Sequence, residues 1–223
     1  MTFSLAALCP RTGMLGCAVT TSSIAVGSRC AFARAGTGAV LTQHRTDPRL
    51  GPLGLDLLAQ GKSAAETIEA LVASTPHHGW RQLAVVDAKG GTGQYSGDHI
   101  ASLHAGAEGD GVVAVGNLLT NPGVPGAMVR DFERDPGRPL SERLVSALAA
   151  GLAAGGETFT LMSAALYVAH EQSFPYVDLR VDDDPAPIAR LEKLWRAYAP
   201  QAEDYVKRAL VPDDAPGFGE KTK

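Results

Sequence analysis

The feature that most constrains the fold is a β-hairpin at the very start of the chain. Two β-rich apolar segments, residues 2–9 and 14–21, are separated only by the turn sequence Pro10-Arg11-Thr12-Gly13. Short apolar runs joined by a Pro- and Gly-containing turn are typical of antiparallel strands. A second pair follows at residues 30–35 and 38–43. Because parallel strands need long crossover connections, these short turns predict antiparallel sheets.

Helical spacing of apolar residues then appears in pairs of segments. One pair covers residues 53–74, where Ser63 and Glu66 predict a capping box at the start of the second helix. Further strands and helices are predicted at 82–87, 93–95, 112–116, 126–133, 140–152, 161–169, 176–182, 188–198 and 202–210. We therefore expect an α+β fold of two stacked antiparallel sheets, with the helices of 53–74 and 126–153 on opposite outer faces.

Composition and charge exclude several classes of protein. With 223 residues, 45% hydrophobic and 20% charged, the chain fits one globular domain, predicted over residues 1–210, with a flexible tail at 211–223. The net charge of -4 and the lack of a Lys/Arg run argue against a nucleic-acid partner. There is no apolar stretch of about 18 residues and no basic leader, so we expect a cytoplasmic protein that does not enter a membrane.

No cofactor or metal is predicted from the motifs. Cys9, Cys17 and Cys30 lack metal-type spacing, and the six histidines form no HExxH pattern. A phosphate-binding GxxxxGK[ST] loop and a GxSxG nucleophile elbow are also missing from the sequence. These observations leave a small-molecule substrate as the expected partner.

Thr2 is the candidate for chemistry, because removal of Met1 would leave a threonine at the edge of a sheet. An N-terminal threonine carries its own general base, since its α-amine has a pKa near 8 and lies within reach of its hydroxyl. Asn117, at the end of a predicted strand, either forms a turn or donates to an oxyanion. Thr21 and Ser22 belong to a hydroxyl cluster that either tunes the nucleophile or caps a loop.

Eight collinear segments resemble the uncharacterised family known as domain of unknown function 1028. They are TFSLAAL, AVGS, ARAGTGAVLTQ, GPLGLDLL, RQLAVVD, GN, SAALYV and VDLRVDD, between residue 2 and about residue 197. The resemblance implies the αββα sandwich of the N-terminal-nucleophile (Ntn) hydrolases. It also implies Thr2 as nucleophile, Asn117 near the oxyanion site and Gln43 lining the same pocket.

The chain departs from that family before Ser163. Members usually carry Gly-Asp-x-Arg-Gly there, whereas this chain has Gly156-Glu157-Thr158-Phe159-Thr160. Phe159 thus stands in place of an arginine, and a pocket without that guanidinium is expected to prefer neutral over anionic substrates.

Three functional hypotheses remain open. The first is an amidohydrolase for a small amide, carbamoyl or ureido compound, with Thr2 and Asn117 catalytic and the substrate bound by Thr21, Ser22, Gln43 and Ser163. The second is a catalytically silent Ntn-like binding protein, and the third is hydrolysis by Ser163 or Cys17. A homodimer is also predicted, because Trp195, Tyr198 and Tyr205 place aromatic residues near the C-terminal helices.

Overall fold

The computed structural model describes residues 2–217. Its ten strands are β1 Thr2–Leu8, β2 Leu15–Thr21, β3 Ala31–Arg34, β4 Gly38–Gln43, β5 Gln82–Asp87, β6 Thr92–Ser96, β7 His104–Gly109, β8 Val112–Asn117, β9 Ser163–Ala169 and β10 Val177–Val181. Its six α-helices are α1 Leu50–Ala59, α2 Ala64–Ala73, α3 Val124–Glu133, α4 Leu140–Ala153, α5 Pro187–Tyr198 and α6 Ala202–Leu210.

The strands form two antiparallel sheets, as the hairpin turns predict. The large sheet has the order β10-β9-β2-β1-β8-β7, and the small sheet has the order β3-β4-β5-β6. Every strand pair in both sheets is antiparallel. The first strand of the chain is therefore an interior strand of the large sheet, with β2 on one side and β8 on the other.

Strand β7 is absent from the sequence-based prediction. Its sequence, His-Ala-Gly-Ala-Glu-Gly, contains two glycines and no large apolar residue, and most of its residues are at least partly exposed. It forms the edge of the large sheet, where pairing with β8 through the backbone does not require an apolar side-chain pattern.

Three apolar clusters lie between the secondary-structure elements. One packs α3, α4 and α5 against the large sheet, one lies between the two sheets, and one packs α1 and α2 against the small sheet. Strand β1 alternates between the first two clusters: Phe3 and Leu5 point to the helices, whereas Ala6 and Leu8 point to the small sheet. The two predicted helix pairs thus contact different sheets.

Local signals in the sequence account for several element boundaries. Ser63 accepts from the backbone N–H of Glu66, whose carboxylate accepts from the Ser63 backbone, so the predicted capping box is present at the start of α2. At the other end of the chain, a 3₁₀ turn covers Pro212–Asp214, and Arg208 Nε donates to the carbonyl oxygen of Pro216 at 3.2 Å. The remainder of the predicted tail, 218–223, lies outside the described residues.

The aromatic residues near the C-terminus mainly pack within the same chain. Trp195 is only 6% exposed and belongs to the core between the helices and the large sheet. Tyr198 stacks on Tyr205 at 5.5 Å between ring centroids and donates to the carbonyl oxygen of Tyr176. These contacts account for the aromatic residues without a partner subunit, and the homodimer stays a prediction.

Candidate functional site

Five polar residues form a row across one end of the large sheet. The strand registers align Ser163 with Thr21, Thr2 with Asn117, and Asn117 with His104. Because Phe3 pairs with Thr20, the next position along brings Thr2 opposite Thr21. The Thr2 hydroxyl donates to the Thr21 hydroxyl at 3.3 Å. We call this set the Thr2 row.

The Thr2 row faces a polar network at the same end of the space between the sheets. Ser4 Oγ donates to Gln43 Oε1 at 2.7 Å, and Gln43 Nε2 donates to Gln82 Oε1 at 2.7 Å. Asn117 Nδ2 donates to the same Gln82 oxygen at 2.9 Å, and Gln43 Nε2 also lies 3.5 Å from the Thr2 carbonyl oxygen. The interior is therefore apolar between the middle portions of the sheets and polar at this end.

Gln82 holds Asn117 in a defined orientation. One hydrogen of Asn117 Nδ2 is directed at Gln82, whereas Oδ1 has no hydrogen-bond partner among the residues that the structure describes. A primary amide carries two N–H donors, so one remains for a substrate oxygen. The predicted oxyanion role thus requires the second hydrogen.

Ser163 is engaged by the segment that follows β2. Its Oγ donates to the carbonyl oxygen of Ser23 at 2.6 Å and accepts from the backbone N–H of Val26 at 3.1 Å. Gly27 approaches the strand so closely that a Cβ there would lie 2.6 Å from the Cβ of Ala165. Ser163 therefore anchors this segment. Its hydroxyl already donates one hydrogen bond and accepts another, and substrate binding or nucleophilic attack would need the same hydrogen and oxygen.

Burial divides the candidate residues into two groups. Thr2 is 6% exposed, and Thr21, Gln43, Asn117 and Ser163 are buried more completely. Ser22 is only partly buried, and the following segment reaches the surface, with Ile24 at 61% exposure. Met1, whose removal the Thr2 hypothesis requires, lies outside the described residues. Among the predicted site residues, Ser22 is therefore the one that is not fully buried.

Left-handed backbone conformations accompany the Thr2 row. Four non-glycine residues have positive φ: Ala25 at 54°, His44 at 53°, Arg45 at 39° and Leu118 at 50°. They follow the ends of β2, β4 and β8, the strands that carry the polar residues of the site. Such conformations cost free energy in a non-glycine residue and cluster at functional sites.

Basic and aromatic groups lie just beyond β4. His44 Nδ1 lies 2.9 Å from the carbonyl oxygen of Trp80, and burial lowers the pKa of the His44 imidazole. The Arg45 guanidinium lies over the Trp80 ring, 3.8 Å from its centroid. Asp47 pairs with Arg49 at 2.8 Å and more distantly with Arg81 at 3.9 Å.

Glu157 lies in line with β1, beyond its first residue. Gly155 and Gly156, with φ of 123° and 59°, turn the chain away from α4 so that Glu157 forms an isolated bridge with Leu119. Glu157 is 7% exposed, and neither carboxylate oxygen has a hydrogen-bond partner within residues 2–217. Burial raises the pKa of its carboxyl, although the adjacent Ser22 acts in the opposite direction.

A groove of about 300 Å³ adjoins Glu157. Its walls are largely apolar, and Phe159 lines it with 56% of its surface exposed. The other main lining residues are Leu152, Leu161, Pro187 and Ile188. The backbone N–H of Met162, next to this wall, donates to the carbonyl oxygen of Thr21 at 2.8 Å. The groove therefore lies close to the Thr2 row.

The structure thus brings all the predicted site residues to one end of the sheets, and it adds three that sequence reasoning missed. Gln82 mirrors Gln43 as a buried amide at the end of a strand, which was a usable signal. Glu157 was visible only as part of a family comparison, and its carboxylate gave no local pattern. His104 was missed together with strand β7.

Cys17, the alternative nucleophile, is in an unsuitable environment. Its thiol is buried between the sheets, and burial raises its pKa to about 12. Because the thiolate is the reactive form, this cysteine is unreactive at neutral pH.

Among residues 2–217, no three His, Cys, Asp or Glu side chains are grouped so that they could hold a metal ion. Nor does any helix in that range have the length and apolar character to cross a bilayer.

Comparison with known proteins places the chain in a family. It is similar to protein SPO2555 from Silicibacter pomeroyi, with 28% sequence identity, a TM-score of 0.84, and coverage of 93% of this chain and 94% of that one. It also aligns with Anbu (ancestral beta-subunit) from Yersinia bercovieri at 12% identity over 99% of this chain and 100% of that one, with a TM-score of 0.40. No curated protein matches the chain. The family model described as a family of unknown function, DUF1028, matches residues 2–191, and the chain belongs to that family.

Proposed function

We propose that this chain is an Ntn-type amidohydrolase with an αββα sandwich, acting on a small amide, carbamoyl or ureido compound. The observation that carries the proposal is the place of Thr2. It is the first residue of an interior strand, its hydroxyl contacts Thr21, and it pairs with Asn117 at the polar end of the space between two sheets. A strand that begins there can present both an α-amine and a hydroxyl to one substrate atom.

The chemistry would use groups already next to each other. After removal of Met1, the Thr2 α-amine takes the hydroxyl proton while the oxygen attacks the amide carbonyl. The proton then passes to the leaving nitrogen, the carbon–nitrogen bond breaks, and an acyl-threonine ester remains. Water hydrolyses this ester in a second step and restores the hydroxyl. The free hydrogen of Asn117 Nδ2 would meet the charge that develops on the carbonyl oxygen.

The groove beside Glu157 supports a choice of substrate. Its apolar walls and Phe159 offer no cation for a carboxylate, and the nearest charged group is the Glu157 carboxyl. We therefore propose a neutral amide with an apolar portion of a size that suits about 300 Å³. Thr21, Ser22 and Gln43 would contact its polar end, whereas Ser163 would hold the segment that covers it.

The test combines mass spectrometry with kinetics. The intact mass of active protein should correspond to a chain that begins at Thr2, and Thr2→Ala should abolish turnover in a panel of small amides, carbamoyl and ureido compounds. Asn117→Ala should slow turnover about a hundred-fold to a thousand-fold. Full activity with Met1 attached, or in Thr2→Ala, would remove Thr2 from the mechanism.

A second function has one observation in its favour. Thr2 is 6% exposed and the rest of the Thr2 row is largely buried, which suits a silent binding protein as well as an enzyme that opens. The two are separated by incubating the chain that begins at Thr2 with an N-terminus-directed acylating agent. An enzyme should acylate on the Thr2 oxygen, giving a mass increase that hydroxylamine reverses, whereas a silent protein should acylate only on nitrogen.

The proposal also covers the location, the assembly and the binding partners of the protein. We propose a cytoplasmic homodimer that uses no cofactor, acts on a small molecule and binds neither nucleic acid nor a membrane. The net charge of -4 and the absence of a basic run support the last points. Light scattering at micromolar concentration tests the dimer, and a monomer would contradict it.

A further inference from the structure

We infer that Glu157 is a positioning residue for the α-amine of Thr2, and that its carboxylate fixes the direction and the basicity of that amine. The inference rests on the proposed function, because it requires a chain that begins at Thr2. It goes further by assigning a role to a buried acidic side chain that the reaction steps above do not use.

The pairing along β8 places Glu157 next to the amine. Thr2 pairs with Asn117, and Glu157 pairs with Leu119, two positions further along the same strand. His104 and Leu103 occupy the opposite edge of β8, so Glu157 and Thr2 share one edge. Two positions along a strand correspond to about 7 Å between Cα atoms. A glutamate side chain spans much of that distance, and the α-amine projects from the end of β1 that faces it.

Charge balance points to the same pair. Glu157 is only 7% exposed. An ionised carboxylate that is so deeply buried normally has a counter-charge or several hydrogen-bond donors. Within the described part of the chain Glu157 forms no ion pair, and Ser22 is the neighbouring group that favours its charged form. An α-ammonium at Thr2, itself 6% exposed, needs a partner for the same reason. An α-ammonium at Thr2 and a carboxylate at Glu157 would therefore compensate each other's charge.

Other ionisable groups near this end of the sheets are either neutralised or turned away. Asp47 is paired with Arg49, and Arg45 lies over Trp80. The imidazoles of His44 and His104 each contact a backbone carbonyl oxygen, of Trp80 and Ser102 respectively. The acidic residues after β10, Asp182 and Asp183, are exposed to solvent. Glu157 is thus the carboxyl group left to act on the amine.

The experiment measures the amine itself and needs no substrate. The chain is released from a cleavable fusion so that it begins at Thr2, and the pKa of the α-amine is obtained by competitive labelling with trace acetic anhydride across a pH series. Mass spectrometry of the N-terminal peptide gives the extent of labelling. The variants are Glu157→Gln, which keeps the shape of the side chain, and the exposed Glu171→Gln as a matched control.

We expect Glu157→Gln to lower the pKa of the α-amine by about one unit, because a nearby carboxylate favours the ammonium form. Glu171→Gln should leave it unchanged. Where turnover is present, the acidic limb of the pH–rate profile should move in the same direction, and kcat should fall as the amine loses its orientation. Equal pKa values in wild type and Glu157→Gln, at comparable melting temperatures, would overturn the inference. That outcome is distinct from activity in Thr2→Ala, which would instead overturn the proposed function.

Discussion

Replacing Gln82 by leucine tests whether the buried polar network holds this end of the protein together. The Gln82 side chain takes part in four short hydrogen bonds. It accepts from Gln43 at 2.7 Å and Asn117 at 2.9 Å, and it donates to Ser96 Oγ and the Gly116 carbonyl oxygen, both at 3.0 Å. Gln82, Gln43 and Asn117 are each 0% exposed, so water cannot replace the lost partner.

The expected loss of stability follows from the groups left without partners. Gln82→Leu removes the short hydrogen bonds of Gln43 Nε2, Asn117 Nδ2 and the Gly116 carbonyl, all in the interior. Each buried group left unsatisfied costs about 1–3 kcal/mol. After allowance for the apolar surface that leucine buries, the free energy of unfolding should fall by about 3–6 kcal/mol. That is a large fraction of the total for a domain, about 5–15 kcal/mol.

The assay is urea unfolding followed by circular dichroism, with Gln94→Leu as the matched control. Gln94 lies on the neighbouring strand β6, is only partly buried, and donates to the exposed Glu108 at 3.0 Å. Its replacement should change the unfolding free energy by no more than about 0.5 kcal/mol. If Gln82→Leu costs no more than Gln94→Leu, the network is not a stabilising feature and the reasoning fails.

Three further predictions address the same end of the molecule. In the chain that retains Met1, burial raises the pKa of the Glu157 carboxyl in the folded state, so the folded chain binds more protons than the unfolded chain, and the unfolding free energy should fall as pH rises from the ordinary glutamate pKa to the raised value; Glu157→Gln in that chain should flatten this dependence in urea titrations at several pH values, and an unchanged slope would contradict the assignment. Ser163→Ala should lower the free energy of unfolding by about 1–3 kcal/mol, because the backbone N–H of Val26 loses its acceptor. The variant should also be cleaved faster by proteases within residues 22–28. Equal cleavage rates in wild type and variant would argue against an anchoring role. The Cys17 thiol should resist a thiol-specific reagent in the folded protein at neutral pH and react after denaturation, and rapid labelling of Cys17 in the native state would show that it is not buried as described.

The sequence predicted the framework of this fold because its signals are local. Turn residues such as Pro10 and Gly13 identify the first hairpin, and the Ser63–Glu66 pair identifies the start of α2. Strand β7 was not predicted, because this edge strand is stabilised mainly by backbone pairing with β8. Such pairing does not require an alternating pattern of apolar side chains.

The sequence indicated part of the membership of the candidate site and none of its geometry. Thr2, Thr21 and Asn117 lie at or next to the ends of predicted strands, whereas Ser163 lies inside the predicted segment 161–169 and begins β9 in the structure. Their alignment in one row depends on the strand order of the large sheet, which places β9, β2, β1 and β8 side by side although the chain visits them far apart. Glu157 joins them only through its bridge to Leu119, a contact that no sequence period encodes.

The interior position of β1 has a practical consequence for anyone who produces this protein. Any peptide fused ahead of Thr2 would have to leave the sheet at once, because residues 157 and 158 already pair with Leu119 and Leu118 beyond it. An affinity tag at that end would crowd the Thr2 row and would also remove the free amine on which the proposed chemistry depends. The tight glycine turns at the opposite end of the sheets, at Gly13, Gly36 and Gly90, offer safer places for a label. An inactive preparation that carries an N-terminal tag would therefore not test the proposed function.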